Sequence, residues 1–562
     1  SFDYRFNDNE IFRKEYYQYA FVNGEYVQKL YAPSSPNNLR REHYNHQQTL
    51  GQILLTYNRT FARHRVGAMI GWEAQKRKGD NFYALRNLAF GSPYLFNGVE
   101  EGQMGASNPN DVYESAYGSL IGRVNYAFDD RYLIEAQFRY DGSSQFAKGH
   151  RWGFFPSVSV GWRISEEPFF KASGAGFVNQ LKLRASYGEM GDDSGAGYDW
   201  IAGYTYPATS SNSEKGYYAQ WAPGYLIGGE FVTAANPKAL PNTAISWFTA
   251  KTFNVGVDFE AWNGMLGLSV EYYSRKMTGL YEYATSVFPT VIGSTPPREN
   301  VNSSKNMGLE VEISHRNRVG EFAYGIKGIA SITRKKWLRA VQNGPYANSY
   351  DRWRHDNLNN RYQGVQFGYE SAGRYESWED IWNYPIYKGR DVLPGDYKYL
   401  DWNGDGEING LDEHPFAFDS TPWLNYSLGF DFSWRNLDAS VLFQGSALGS
   451  MQYVEPLYSI WGANGGGALE QFLDRWHPTD PSADPYDPAT EWEEGYYAYT
   501  GHSPKGNSQF NRVSTAYLRL KSIEVGYTLP RIRQVPDLKM RVYANAYNLF
   551  TFTGVKFVDP EH

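Results

Sequence analysis

The sequence predicts an all-β protein, a transmembrane antiparallel β-barrel, from three observations. First, segment 131–141 alternates apolar and polar side chains, so as a strand it has one apolar face, formed by Tyr132, Ile134, Ala136, Phe138 and Tyr140. Second, short and long connections alternate along the chain. Third, no run of 18 or more apolar residues occurs, which excludes a bundle of transmembrane helices but not a barrel, whose lipid-facing residues are every second one.

Fourteen segments have strand character, and the strand-like opening fragment brings the count to 15. They are 48–61, 65–73, 113–128, 131–141, 152–164, 180–189, 247–259, 265–276, 306–315, 321–333, 423–434, 437–445, 517–529 and 538–550. The apolar parity slips near Ser522, which predicts a β-bulge.

The connections predict the orientation of the barrel. Short turns belong to the periplasmic rim and long loops to the extracellular one, and the long connections are 6–46, 74–112, 192–246, 277–305, 335–422 and 446–516. The first and the last strand then both run outward. Because bacterial barrels have an even number of strands and lipid tolerates no open edge, we expect further strands from an N-terminal part and at least one at the C-terminus.

Composition excludes several classes of function. Cysteine is absent, so disulfides, zinc-thiolate sites and thiol nucleophiles are excluded. The net charge is −7 with no basic cluster, which argues against nucleic acid as a partner. Catalytic motifs such as Gly-x-Ser-x-Gly and His-Glu-x-x-His do not occur. We therefore expect no enzyme activity.

Several blocks of sequence carry a resemblance to a known family. They are 119–146, which ends Asp-Gly-Ser-Ser-Gln-Phe, then 151–163, which begins Arg-Trp-Gly-Phe-Phe-Pro-Ser, then 181–188, 252–256, 394–401 and 548–553. In this order the blocks resemble the SusC/RagA-type TonB-dependent outer-membrane transporters of Bacteroidetes. The resemblance spans most of the chain.

The resemblance implies a barrel of about 22 strands around an N-terminal plug, preceded by a segment that contacts TonB. Residues 1–562 then form the C-terminal two-thirds of such a barrel, from the seventh to the twenty-first strand, without plug, TonB box or last strand. It also implies an outer-membrane location, contact with lipid, and a surface lipoprotein of the SusD type as a lid. A dimer of SusC–SusD pairs is the assembly to test.

Loop 335–422 contains a motif typical of calcium loops. Asp401, Asn403, Asp405, Asn409 and Asp412 occupy positions 1, 3, 5, 9 and 12 of the template, with Gly406 at position 6 for the sharp turn. Glu407 would contribute its backbone carbonyl. The flanking residues are not helical, so a single structural Ca²⁺ is expected here, and the alternative is a solvated turn without metal.

Aromatic side chains of the long loops are candidates for substrate contact, because their faces stack on sugar rings or hold peptide side chains. The candidates are Trp353, Trp378 and Trp382 in loop 335–422 and Trp461 in loop 446–516. The alternative is that these aromatics, with Tyr362, Tyr369, Tyr375, Tyr384 and Tyr387, pack the loop's own core or a partner protein. Loop 446–516 is itself a candidate contact for the lid.

Polar residues on the inner face carry charges of both signs: Glu135, Gln137, Arg139, Arg184, Glu271, Arg275, Glu310 and Glu312. We expect them to support a plug or line a wet lumen, with substrate contact as the alternative. The favoured function is active import of an oligosaccharide or oligopeptide driven by TonB. A non-transporting surface receptor or scaffold is the alternative, and a passive porin is disfavoured by loop length.

Overall fold

The main feature of the computed structural model is one antiparallel sheet of 17 strands. The structure describes residues 1–100, 102–107, 111–205, 224–233, 236–283, 294–341, 357–387, 390–453, 455–458, 469–504, 506–530 and 538–561. Fifteen wall strands follow one another in chain order, and two short strands, Met104–Ala106 and Thr551–Thr553, pair with the outer ends of the third and fourteenth.

The wall strands are β1 Phe2–Arg13, β2 Asn38–Phe61, β3 His64–Asn87, β4 Tyr113–Phe128, β5 Tyr132–Ser143, β6 Trp152–Arg163, β7 Val178–Asp192, β8 Phe248–Ala261, β9 Leu266–Tyr283, β10 Arg298–Val319, β11 Phe322–Arg339, β12 Leu424–Trp434, β13 Leu437–Ala447, β14 Tyr517–Thr528 and β15 Arg541–Tyr547. Each pairs with its neighbours in the chain. This meander confirms the predicted all-β fold.

Smaller elements lie in the connections. Two-stranded sheets are formed by Tyr17–Val22 with Glu25–Leu30, Tyr204–Thr205 with Asn236–Pro237, Gly224–Ile227 with Glu230–Thr233, Val365–Gly368 with His414–Phe418, Ser371–Arg374 with Tyr397–Tyr399, Ser450–Gln452 with Arg512–Ser514, and His477–Pro478 with Trp492–Glu493. The α-helices are Pro168–Ala172, Trp378–Asn383 and Glu455–Tyr458, and the 3₁₀ turns are Ala32–Ser34, Leu95–Asn97, Ile164–Glu166, Gly410–Asp412, Glu470–Leu473 and Gln509–Asn511. None of the helices in the described ranges is long and apolar enough to cross a membrane.

The two faces of the wall differ as predicted. On one face of β5, Ile134 stands opposite Val160 of β6, and the Tyr140 ring stacks on Trp152 with centroids 5.0 Å apart. On the other face, Arg139 donates hydrogen bonds to Asp141 and to the Ser119 hydroxyl. Because side chains alternate along a strand, one face of the wall is apolar and the other is polar.

Several wall strands are longer than predicted at their outer ends. β2 begins at Asn38 rather than at residue 48, and β3 continues to Asn87 rather than stopping at residue 73. β9 and β10 likewise extend into the predicted loop 277–305. The predicted connections 6–46, 74–112 and 277–305 were therefore wrong in part. Alternating hydrophobicity identifies only strand segments with one apolar face, and in these extensions apolar and polar residues do not alternate regularly.

The predicted bulge is present. The register between β13 and β14 shifts between Leu442 and Phe443, opposite Ser522 and Leu520, which leaves Lys521 without a paired residue on β13. At the opposite rim of the sheet the turns are tight. Asp129 and Asp130, between β4 and β5, both have φ of 53°, as a type I′ turn requires.

Candidate functional site

The described parts of the connections 340–423 and 448–516 fold together into one body, which we call the cap. Its main core contains Tyr369, Tyr397, Tyr399 and Ile408 from the first connection and Ala498 from the second, all buried. Phe510 of the second connection packs edge-on against Tyr397 and Tyr399, with ring centroids 4.8 and 5.8 Å away. The two long connections are therefore one folded unit rather than independent loops.

Backbone hydrogen bonds fasten the two connections to each other. The Tyr369 amide donates to the Asn507 carbonyl at 3.0 Å, and the Gln509 amide donates to the Tyr369 carbonyl at 3.0 Å. The Asn507 side-chain amide donates to the Phe367 carbonyl at 2.6 Å. These bonds fix the relative position of the two connections more firmly than apolar contact alone.

A second junction is formed by the sequence Pro394-Gly395-Asp396. Asp396 is only 1% exposed, and its carboxylate accepts hydrogen bonds from the Leu393 amide and the Thr500 hydroxyl, both at 2.9 Å. Nδ1 of His502 lies 3.1 Å from the same carboxylate. A buried carboxylate needs such partners, so Asp396 joins the two connections. The sequence blocks included these three residues, but no spacing pattern predicted their partners on the second connection.

The structure brings together two of the four predicted tryptophans. Trp378 and Trp382 lie on the helix Trp378–Asn383, with ring centroids 6.2 Å apart. Trp378 packs on the buried cluster of Tyr375, Ile381 and Val392, whereas Trp382 is 67% exposed. Trp353 and Trp461 lie outside the described residues. Trp382 therefore has the surface exposure that ligand contact requires.

Most of the predicted loop tyrosines pack the cap itself. Tyr369 and Tyr375 are buried, and Tyr384 and Tyr387 pack against the same two clusters. Burial raises the pKa of the Tyr375 hydroxyl, which donates to the Pro385 carbonyl at 2.6 Å. Tyr362 instead lies under the Arg334 guanidinium, 3.6 Å from its ring centroid. For these tyrosines the structure supports the packing alternative.

The calcium-like loop is tightly curled around its first carboxylate. Asp401 accepts hydrogen bonds from the amides of Gly404, Asp405 and Gly406 at 2.8 to 3.2 Å. Gly404 and Gly406 have φ of 71° and 83°, which this curl requires. Asp405 accepts from the Asn403 side-chain amide at 2.7 Å and from the Glu407 amide at 2.9 Å.

The second half of this loop is held by Asp412, which is fully buried. One of its oxygens accepts from the Trp402 amide at 3.0 Å and the other from the Asn409 amide at 2.7 Å. Burial raises the pKa of the Asp412 carboxyl.

No group of three or more acidic or histidine side chains converges as a metal site within the described ranges. The oxygen donors nevertheless suit a hard cation, because each carboxylate oxygen has a second lone pair. Calcium binding at the predicted ligands Asp401, Asn403, Asp405, Glu407, Asn409 and Asp412 stays a prediction.

The polar face of the wall lines a cavity of about 750 Å³, with Gln137, Arg139, Asp141 and Asn254 on its surface. Beside it, Arg184 lies 3.2 Å from Asp258 and donates to Glu271.

Farther along the same face, the Arg275 side chain stands opposite Asn306 in register. Its Nε and the Asn306 Oδ1 are buried without a hydrogen-bond partner among the described residues. The predicted inner residues thus carry charges of both signs, and some of their polar atoms have no hydrogen-bond partner in the described part of the chain.

Comparison with known proteins identifies the family to which this wall and cap belong. Residues 1–549 match the family model described as the TonB dependent receptor-like β-barrel. The chain is 26% identical to the TonB-dependent receptor P3 of Formosa agariphila, over 92% of this chain and 49% of that protein. It is 26% identical to the TonB-dependent receptor SusC of Bacteroides thetaiotaomicron, over 83% of this chain and 44% of that protein.

A solved structure shows the same fold. The structure of the RagAB peptide transporter superposes with a TM-score of 0.70 at 20% identity, over 93% of this chain and 54% of that chain. The present chain thus spans about half the length of the relatives it matches. The chain belongs to the TonB-dependent receptor family of outer-membrane β-barrels, as its resemblance to the SusC/RagA type implied.

Proposed function

We propose that the chain forms the wall and the extracellular cap of an active importer. The importer takes up an oligosaccharide or an oligopeptide across the outer membrane, with energy supplied through TonB. The family match over residues 1–549 carries this proposal. A folded cap and a polar inner wall with a cavity of about 750 Å³ supply the surfaces that such a path needs.

Both substrate classes agree with the exposed aromatic surface of the cap. Trp382 is exposed beside Trp378, and Tyr486 of the second connection lies 6.4 Å from Trp378. Indole and phenol faces stack on sugar rings as well as on apolar peptide side chains. The structurally similar RagAB is a peptide transporter. Because the two chains are only 20% identical, this similarity supports the fold and does not decide between the substrate classes.

We further propose a SusD-type surface lipoprotein as the lid of the importer. The two long connections of the cap are joined by the Tyr369–Asn507 backbone bond and by Asp396. Contacts of this kind hold the cap as one body. A cover that opens and closes over the mouth is then better supplied by a second protein.

The competing function is a surface receptor that binds ligand without transporting it. The exposed aromatic surface of the cap would serve that function equally well. Transport and binding differ in their need for energy, because only transport requires TonB. The two functions are therefore separated by the same experiment.

The experiment deletes TonB in cells that carry the intact gene product. A strain that lacks only this gene is first screened for growth on individual glycans and peptides, which identifies the nutrient. We expect TonB deletion to abolish growth on that nutrient while labelled nutrient still binds the cell surface. Unchanged growth after TonB deletion would contradict import. A nutrient that binds the surface of wild-type cells, while deletion of the gene leaves growth on it unchanged, would favour the receptor function.

A further inference from the structure

The connection between β1 and β2 carries a separate β-hairpin, residues 17–30, which we call the aromatic hairpin. Its strands Tyr17–Val22 and Glu25–Leu30 pair with each other and form a sheet of their own. Asn23 and Gly24 make the turn with φ of 53° and 88°, as expected for a type I′ hairpin. An isolated two-stranded hairpin is only marginally stable in water. Packing of one of its faces against another surface would therefore stabilise it.

One face of the aromatic hairpin is apolar and exposed. The register places Tyr17, Tyr19, Phe21, Tyr26 and Leu30 on this face, and their exposed fractions lie between 40% and 75%. An aromatic side chain has an area of about 150–250 Å². At the exposed fractions given above, the four rings together present roughly 500 Å² to solvent. That area is at the upper end of the largest apolar patch on a typical monomer, and such patches are often functional.

The base of the aromatic hairpin is closed by contacts between the two segments that flank it. The Tyr31 amide donates to the Tyr16 carbonyl at 3.0 Å, and their rings stack with centroids 4.9 Å apart. The Tyr16 amide also donates to the Ser34 hydroxyl at 3.2 Å. Directly below these contacts Arg13 of β1 pairs with Asn38 of β2, so the hairpin continues from the outer ends of these two strands.

Lipid does not reach this apolar face. The outward face of β2 is apolar at Ile53, Leu55 and Tyr57, and on β1 exposed aromatic residues continue this face up to Phe6, which stands opposite Asn45 of β2. Above that level β2 is polar on this face at His43 and Arg41. From Asn45 to Asn38 the strand rises roughly 23 Å at about 3.3 Å per residue, or about 18 Å along the membrane normal at a tilt near 40°. The aromatic hairpin therefore stands above the headgroups.

A second exposed aromatic group lies next to the base of the hairpin. The Leu88 amide donates to the Asn37 carbonyl at 2.8 Å, which places the following segment beside the hairpin. In this segment Phe90, Tyr94 and Phe96 are exposed, and the last two rings stack with centroids 5.3 Å apart. Together the two groups approach the area of about 800 Å² that one partner contributes to a standard protein interface.

We propose that the apolar face of the aromatic hairpin is a docking surface for the SusD-type surface lipoprotein. The inference rests on the proposed function, which supplies a partner on the extracellular side. An aromatic patch about 18 Å above the apolar band of the wall suits a protein that rests on the outer mouth. Aromatic side chains of this kind are enriched at protein interfaces.

The test places the photo-crosslinker p-benzoylphenylalanine at Tyr19 in the intact gene product, co-expressed with the lipoprotein in its own cells. The matched control places it at Gln18, the adjacent residue on the opposite face of the hairpin. We expect irradiation to give an adduct with the lipoprotein, identified by mass spectrometry, at least fivefold more from position 19. An adduct with lipid, with a second copy, or with another segment of the same chain would overturn the proposal.

A variant provides an independent readout. The changes Tyr19→Ser, Phe21→Ser and Tyr26→Ser together should lower co-purification of the lipoprotein at least tenfold, with the protein still present in the outer membrane. The control changes Gln18→Ser and Lys29→Ser on the opposite face should leave it unchanged. Retention of the lipoprotein by the triple variant overturns the docking surface alone. Absence of the lipoprotein from the wild-type preparation overturns the proposed partnership as well.

Discussion

At the scale of single residues, Gly395 shows how closely the cap is packed. Its φ of 91° lies in the left-handed region, and a Cβ at this position would overlap Cγ of Trp476. The Arg374 guanidinium donates to the Gly395 carbonyl at 3.0 Å and lies 4.0 Å from the Tyr397 ring centroid. Only glycine satisfies both the backbone conformation and the contact with the indole.

We predict that Gly395→Ala destabilises the cap more than Gly373→Ala does. Gly373 has a similar φ of 98°, but a Cβ added there would meet nothing within 4 Å. The control should therefore cost only the backbone strain of about 1–2 kcal/mol, and Gly395→Ala a further 1–3 kcal/mol, roughly, from overpacking against Trp476. Hydrogen exchange of the cap in the intact protein measures both changes. Equal costs would contradict the packing argument.

Calcium binding is a second prediction at the residue scale. We expect one Ca²⁺ per chain in metal analysis of purified protein, and loss of that ion in Asp405→Ala, because Asp405 supplies the carboxylate at position 5 of the calcium-loop template. Glu407→Gln is the matched control, since the template uses only the backbone carbonyl of this exposed residue. A wild-type protein without bound divalent ion would favour the turn that curls without metal.

At the scale of elements, β5 tests the assignment of the two faces. We predict that Ala136→Arg, on the apolar face midway between Tyr132 and Tyr140, lowers the free energy of unfolding by about 2–4 kcal/mol, the cost of a cation at the bilayer midplane. The neighbouring change Gln137→Arg points to the cavity side and should change it by less than about 0.5 kcal/mol. Urea unfolding in lipid vesicles compares the two variants, and equal losses would contradict the assigned faces.

The sequence could predict the wall strands because each has one apolar face. The alternation in β5 and the parity slip near Ser522 were sufficient to locate a strand and a bulge, and the structure confirms both. The same rule missed the outer parts of β2 and β3, where Arg40, Glu42 and Asn81 lie in strands away from any apolar band. In such segments polar residues are mixed with apolar ones such as Leu39, Tyr83 and Leu85 without a regular alternation, so hydrophobic periodicity did not identify them.

The aromatic hairpin was missed although its signal was present. Tyr17, Tyr19 and Phe21 alternate with smaller or polar residues, and Asn23-Gly24 follows them directly. An Asn-Gly pair between alternating strands is the strongest short-range sign of a hairpin. The prediction of a long structureless connection over 6–46 concealed it.

At the scale of the whole molecule, the candidate site was predictable only in part. The sequence indicated the calcium-like loop and the aromatic content of the cap, because both are local patterns. It did not indicate that Asp396 meets Thr500 and His502, or that Tyr369 pairs with Asn507. Such contacts depend on the side-by-side position of two hairpins in the wall, which no local pattern encodes.

The interlocked cap has a consequence for biogenesis. Its two halves are joined by contacts between residues more than 100 positions apart, such as Thr500 with Asp396 and Asn507 with Gln366. The β11–β12 and β13–β14 hairpins must therefore both be threaded into the sheet before these contacts form. Contacts of large sequence separation form late because chain closure has to precede them. The cap is thus completed only after four strands are in place, on the outside of the cell, where no cytoplasmic chaperone can help it.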